Sequence, residues 1–207
     1  MRRGVVAGGL PGGLGAEQEL ERRLTLATPE DSVRGMFFRS VLGVMWALGD
    51  EAAVDRCVAE CGERRFVDFS CYPMANFLRV LRTAARQMGD AYGDFEGALR
   101  ALGRRGATDF FASATGRPLQ ALLMGNPRRL VDSLPMAYAV GSANGGQCSV
   151  TWAAPGSAVV LLERDFLPRP YVEGALTAAL EVVGTRDSWV RGRPTGPLSS
   201  EYALSWA

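Results

Sequence analysis

At Gly145 the hydrophobic pattern of this chain changes period, and that change restricts the fold more than any single motif. Before it, apolar residues recur at helical spacing. After it, they alternate with polar ones, as half-buried strands do. Cys148, Val150 and Trp152 alternate with Ser149 and Thr151, Ala154-Pro155-Gly156 marks a turn, and Ala158 to Leu162 reads as a second strand, so the pair forms a hairpin. Pro168 to Pro170 leads into a helix with Val172, Leu176, Ala179, Leu180 and Val183 inward and Gly184 at its end. Ser188 to Arg193 and Tyr202 to Trp206 read as the last two strands, with Pro194-Thr195-Gly196-Pro197 as the turn between them. Tyr202, Leu204 and Trp206 share one face, which the crossover helix must cover. The fold class is therefore α+β, an N-terminal helical bundle followed by a ββαββ antiparallel sheet unit.

The helical part has its own punctuation. Thr28-Pro29-Glu30-Asp31 places a hydroxyl before a proline and then acidic residues, a helix-start pattern. Val33, Met36, Phe37, Val41, Val44 and Leu48 continue at helical spacing, and Gly49 is the expected stop. A shorter helix is expected from Glu51 to Cys61, and Phe66-Val67-Asp68-Phe69 is an extended stretch leading to Tyr72-Pro73. The next helix carries Ala75, Leu78, Leu81, Ala85 and Met88, with its end expected at Gly89. Asp94 can cap another, on which Gly103 and Gly106 imply close backbone packing or a kink. A helix from about Arg117 to Met124 follows. Asn126-Pro127 then starts one that Pro135 should bend or shorten. Residues 1–16 are rich in glycine and read as a flexible tail; residues 17–207 read as a single α+β domain.

Composition narrows the chemistry. The 207 residues include no histidine and no lysine; all 23 basic residues are arginine, and the net charge is +1. A nucleic-acid partner needs clustered positive charge, so none is expected. No apolar run is long enough to span a bilayer, and glycines interrupt the only signal-peptide-like stretch, so a cytoplasmic location with reduced cysteines is expected. Without histidine there is no Ser–His–Asp or Cys–His pair, and without lysine no Schiff base or phosphate-binding lysine. Glu30/Asp31 and Asp50/Glu51 sit at expected helix ends, where they serve as caps. Asp68, between Val67 and Phe69, is the one catalytic candidate: burial would raise its pKa and suit a general acid. The competing reading places it on the solvent side or pairs it with an arginine such as Arg65. Cys57 and Cys61 lie four apart, with Cys71 and Cys148 apart from them, which reads as buried thiols rather than a zinc site. Arg128 and Arg129, near a helix start, are an anion-binding candidate, or a solvated turn paired with Asp132. Trp46, Tyr72, Phe110, Phe111, Tyr138, Trp152 and Tyr171 fall on elements that should face one another, and line either a small-molecule pocket or an ordinary core.

Several phrases in order carry a resemblance. They are Arg34-Gly35-Met36-Phe37-Phe38, Phe66-Val67-Asp68-Phe69 with Tyr72-Pro73, Leu102-Gly103-Arg104, Asn126-Pro127-Arg128-Arg129-Leu130, Phe166-Leu167-Pro168 with Tyr171, Glu173 and Gly174, and Tyr202-Ala203-Leu204-Ser205-Trp206. Over residues 20–207 the chain resembles a paralogous family of unknown function greatly expanded in myxobacteria. At fold level that family is similar to haem–nitric-oxide-binding domains, 4-vinyl-reductase-type sensor domains and small subunits of the TRAPP tethering complex. The resemblance implies a domain that holds a hydrophobic ligand, or presents a dimer surface, between helices and sheet. Haem of that kind hangs on a proximal histidine, which this chain lacks, so neither haem nor any other cofactor is expected. The expected function is a non-enzymatic cytoplasmic regulatory domain that binds a small hydrophobic molecule or a protein partner and forms a homodimer. The alternatives are an enzyme of isomerase or cyclase type in a natural-product pathway, using carboxylate, Tyr or Arg side chains, and a pocketless adaptor.

Overall fold

A computed structural model describes residues 15–48, 51–142 and 146–207. The tail expected over residues 1–16 falls almost wholly outside the described residues, as do the stop at Gly49, Asp50 of the Asp50/Glu51 pair and the change of period at Gly145.

The first helix, α1 (Ala16–Leu26), precedes the first element expected from sequence. It buries Ala16, Glu19, Leu20 and Arg23 at helical spacing, so half of its inward positions are charged. The Thr28-Pro29 pattern does not start a helix. The Thr28 backbone N–H and hydroxyl both donate to Asp31 Oδ2, at 2.8 and 2.9 Å, and Arg164 donates to Asp31 Oδ1 at 2.6 Å. That closed turn delivers the chain into β1 (Ser32–Arg34), which pairs antiparallel with β2 (Cys71–Pro73). Local capping chemistry is present at Thr28, but strand pairing uses the residues after it. Helix α2 (Gly35–Ala47) begins only at Gly35. Its first amides donate to carbonyls of the 66–70 stretch, Gly35 to Ser70 and Met36 to Asp68, so that stretch serves as the cap.

Helix α3 (Glu51–Ala59) is followed, after β2, by α4 (Met74–Tyr92). The expected stop at Gly89 is corrected: α4 runs through it and ends at Gly93, whose φ of 89° is the positive value a glycine terminator supplies. Helix α5 (Phe95–Ala112) starts at Asp94, whose carboxylate accepts from the Gly97 N–H at 2.6 Å. Helix α6 (Gly116–Leu123) and helix α7 (Pro127–Gly141) follow, the latter capped by Asn126 and running unshortened through Pro135. Strands β3 (Gln147–Ala154) and β4 (Ser157–Glu163), helix α8 (Arg169–Val182), and strands β5 (Trp189–Gly196) and β6 (Ser199–Ser205) complete the ββαββ unit. The sheet is antiparallel in the order β3-β4-β6-β5. The last turn is tighter than expected, because Gly196 already pairs with Ser199. The α+β class, with helices first and an antiparallel sheet last, holds.

Two apolar clusters build the interior. One lies among α1 to α5 around Phe38, Phe77, Leu81 and Leu99; the other lies between α5 to α8 and the sheet, around Phe110, Val160, Leu176 and Tyr202. Phe37 and Leu167 pack against both. Helices α5 and α8 form the most extensive helix pair, and glycines make that possible. A Cβ on Gly103 would lie 1.9 Å from the Tyr171 carbonyl oxygen, and one on Gly174 would lie 2.0 Å from the Arg100 carbonyl oxygen. The backbones touch reciprocally, as the glycines of α5 lead one to expect.

Candidate functional site

A cavity of about 170 Å³ opens at the seam between the two apolar clusters. Its wall is drawn from every layer: Val33 from β1, Phe37 from α2, Met74 and Phe77 from α4, Phe110 and Phe111 from α5, Leu134 and Tyr138 from α7, Val160 and Leu162 from β4, and Tyr171, Leu176 and Ala179 from α8. The sheet side chains reach it because alternate residues of β4 point inward. Alanines on three helices, Ala107, Ala137 and Ala179, leave the space that larger residues would fill.

Polar groups enter the wall mainly from the segment that joins β4 to α8. Arg164, with a left-handed φ of 52°, turns the chain there; its guanidinium leaves to meet Asp31 while the next residue, Asp165, turns inward. Asp165 is 3% exposed. Its Oδ1 accepts from the Tyr138 hydroxyl at 3.2 Å and from the Leu167 N–H at 3.3 Å, while Oδ2 has no hydrogen-bond partner. Behind the cavity wall stands Arg23 of α1, 1% exposed. It donates to the Asp165 and Leu167 carbonyls at 2.9 and 2.5 Å and to Ser200 Oγ at 2.7 Å. It pairs with Glu19 at 2.8 Å and approaches Asp165 Oδ2 at 3.7 Å. Burial raises the Asp165 carboxyl to about 6, against the lowering pull of Arg23 and the two hydrogen bonds. Burial likewise raises Cys148 to about 12, and raises the phenols of Tyr138 and Tyr171, each with Asp165 nearby adding to the rise.

A pH dependence follows. A carboxyl that titrates near 6 when folded and near 3.9 when unfolded binds more protons in the folded state between those values. Its contribution to stability therefore falls as pH rises from about 4 to about 6 and is level above that. Urea unfolding of the wild type should show this group contributing about 1 kcal/mol more stability at pH 5 than at pH 7. Asp165→Asn should flatten that window. Asp31, held low by Thr28 and Arg164 against the opposing pull of burial, acts oppositely and only as pH drops below the ordinary carboxylate range.

Among the aromatic residues singled out in the sequence, Phe110, Phe111, Tyr138 and Tyr171 line this cavity together. The others lie elsewhere. Trp46 is 61% exposed on α2. Tyr72 packs edge-on against Phe38 and Phe66, and its hydroxyl accepts from the Val67 N–H. Trp152 donates to Asp132 and packs on Trp206, under the Arg128 guanidinium at 4.7 Å. Arg129 has its N–H engaged by the Asn126 cap. Asp68 is 2.5 Å from Arg39 in a half-exposed pair, away from the cavity; its partner is Arg39, not Arg65. Among the described residues no cluster of His, Cys, Asp and Glu gathers that could hold a metal, and Cys57, raised to about 11 by burial, accepts from Gln87. Sequence reasoning missed Asp165 and the whole of α1. The available signal at Asp165 was the one that singled out Asp68: an acid beside apolar residues, in this case Phe166 and Leu167.

Helices followed by a ββαββ sheet, with a cavity where the two layers meet, define an H-NOX-like fold. An H-NOX protein from K. algicida superposes with a TM-score of 0.66 at 10% identity, covering 84% of this chain and 96% of that one. One from S. oneidensis in the Fe(II)NO ligation state gives 0.63 at 11%, covering 84% and 99%. An oxygen-binding H-NOX domain related to soluble guanylate cyclases gives 0.62 at 10%, covering 84% and 94%. The chain belongs to the family described as protein of unknown function DUF2378, whose sequence profile matches residues 26–207. No curated protein matches its sequence. The likeness to haem–nitric-oxide-binding domains, expected from the motifs, is borne out as a likeness of fold.

The residues present do not fit a haem. The chain has no histidine. Of other iron-ligating types, the cavity wall offers the Met74 thioether, which in cytochromes accompanies a histidine, Cys148, whose thiol burial keeps protonated, and two phenols raised in the same way, one of them bound to Asp165. A space of about 170 Å³ is close to the cavity that admits benzene and short of the several hundred Å³ typical of drug-sized ligands. No helix among the described residues is long and apolar enough to cross a membrane.

Proposed function

We propose that this chain is a haem-free ligand-binding regulatory domain on the H-NOX fold, with the cavity at the helix–sheet seam as its ligand site. The observation that carries the reading is the cavity itself, apolar on nearly every side and of a size that suits a single small molecule. In this reading the chain works in the cytoplasm as a homodimer. Leu122, Met124 and Met136, exposed on or beside α6 and α7, are the apolar surface that a second copy would cover. Native mass spectrometry showing monomer alone at micromolar concentration would overturn the dimer.

The ligand site is tested by calorimetric titration with toluene. The wild type should bind it saturably with one site per chain. Ala179→Leu places three more carbons in the cavity from a helix interior. It should weaken toluene binding at least tenfold while leaving stability unchanged or raising it by about 1 kcal/mol. Addition of haemin should produce no ligated-haem absorption band. Absence of toluene binding to the wild type contradicts the site.

One observation favours an enzyme of isomerase or cyclase type instead. Asp165 is a carboxyl raised to about 6 in an apolar cavity with a phenol donating to it, which suits proton transfer. Biosynthetic genes beside this one would support that reading, and signalling genes the regulatory one. The cavity beneath Tyr171 counts against the pocketless adaptor.

A further inference from the structure

The two edges of the sheet are built differently. Strand β5 forms one edge and β3 the other. The Gly192 N–H points away from β6 and donates to Glu173 Oε1, a buried carboxylate, at 2.9 Å. At the next outward position of β5, Pro194 has no N–H to offer. Arg191 and Arg193 add charge, and the register shifts between Pro194 and Gly196. These are the devices that close an edge strand to other chains. Strand β3 lacks them over Gln147 to Trp152, a run with neither charge nor proline, and its register shifts only beyond Trp152. Backbone groups alternate sides along an antiparallel strand. Followed across the ladders from Gly192 through Tyr202 and Val160 to Val150, that alternation turns the N–H and C=O of Cys148, Val150 and Trp152 to the free edge. The Trp206 N–H, which donates to the Gly156 carbonyl on the β4 side, keeps the same phase. Among the described residues none of these edge groups has a hydrogen-bond partner. Helix α7 runs beside the edge. Asp132 accepts from Trp152 Nε1, and Met136 and Val140 follow it at four-residue spacing on the same helix face, 58% and 37% exposed.

We infer that β3 joins a second copy of this chain, edge to edge and antiparallel, so that the sheet runs on through a two-fold dimer. This rests on the reading of the chain as a homodimer and adds the element that joins the copies. The strand is complementary to itself. A two-fold axis at Val150 sets Val150 against Val150, Cys148 against Trp152 and Ser149 against Thr151, with no charge opposed to a like charge. It brings the Asp132 end of one α7 toward the Val140 end of the other, where Arg34 donates to the Val140 carbonyl, so acid meets base. Arg128, at the Asp132 end, already lies over its own Trp152. Because β5 is closed, β3 of one copy cannot pair with β5 of the next into a fibre, and the assembly stops at two.

The test compares the wild type with Ser149→Lys/Thr151→Lys at micromolar concentration, by native mass spectrometry and amide hydrogen exchange. Both side chains are exposed and both N–H groups face β4, so the variant keeps the bonds within its own sheet. The wild type should be a dimer in which the Val150 amide is protected from exchange. Lysines facing lysines should weaken that dimer by about tenfold and release the Val150 amide, with helical content by circular dichroism unchanged. A wild type found only as monomer overturns this inference together with the homodimer reading. A dimer of full strength in the lysine variant, or a wild-type dimer whose Val150 amide exchanges freely, overturns β3 as the joint and leaves the homodimer standing. A protected Val150 amide in a monomer means that a different strand covers the edge, and overturns the second copy.

Discussion

Arg23→Met should destabilise the fold by about 3–5 kcal/mol, as the loss of one partner from a buried ion pair does. Arg23 is fully buried and is the only cation within 4 Å of Asp165 among the described ion pairs. Methionine keeps the apolar stem but leaves Glu19 without its close partner, Asp165 without charge compensation, and the Leu167 carbonyl and Ser200 hydroxyl short of a donor. Uncompensated buried charge costs more than the lost hydrogen bonds themselves. Thermal unfolding should fall by about 6–20 °C for a chain of this size. Arg23→Lys should recover only part of the loss, because one ammonium cannot reach the carbonyls, the hydroxyl and Glu19 as the guanidinium fork does. The same change should loosen the cavity, because Arg23 holds the 165–167 segment that forms part of its wall.

Gly174→Ala and Gly103→Ala should each cost about 3 kcal/mol or more, at the upper end of overpacking effects. At both positions the added methyl meets a backbone carbonyl of the facing helix at about 2 Å, and neither backbone can turn aside as a flexible side chain would. Helices α5 and α8 must separate. Because α8 carries Tyr171, Leu176 and Ala179 into the cavity, separation should also abolish toluene binding. Gly43→Ala is the control. It lies within α2 with no atom near the new methyl, so it should be neutral or stabilising by up to about 1 kcal/mol. Chemical denaturation of the three variants separates glycines that hold the helices together from one that does not.

The order of layers was legible because it rests on periodicity, which survives tertiary context. The close approach at Gly103 was legible for a similar reason, since a glycine inside a helix costs stability that packing must offset. Helix α1 was not legible. Two of its inward positions are Glu19 and Arg23, so its buried face carries a charged pattern that ordinarily marks solvent. Only contacts more than a hundred residues away make those charges inward. The Thr28 turn failed for a related reason: its hydroxyl finds Asp31 locally, as a cap would, but pairing with Cys71–Pro73 decides the backbone. In the candidate site, Phe110, Phe111, Tyr138 and Tyr171 were legible as inward aromatics. Asp165 was not, because an acid between a strand and a helix resembles a loop acid. Its burial depends on Arg164 adopting a left-handed turn and on Arg23 arriving from α1. Asp68, chosen by the same local logic, has only a half-exposed arginine beside it.

That an H-NOX fold encloses a small apolar cavity in this chain, in place of a haem, is tested most directly by diffraction from a crystal pressurised with xenon. Xenon enters dry apolar cavities of this size without needing any particular ligand chemistry. A xenon atom is expected between Phe110, Leu176 and the inner face of β4 in the wild type, and its loss is expected in Ala179→Leu. A wild-type crystal with that space closed, or filled by side chains and free of xenon, would contradict it.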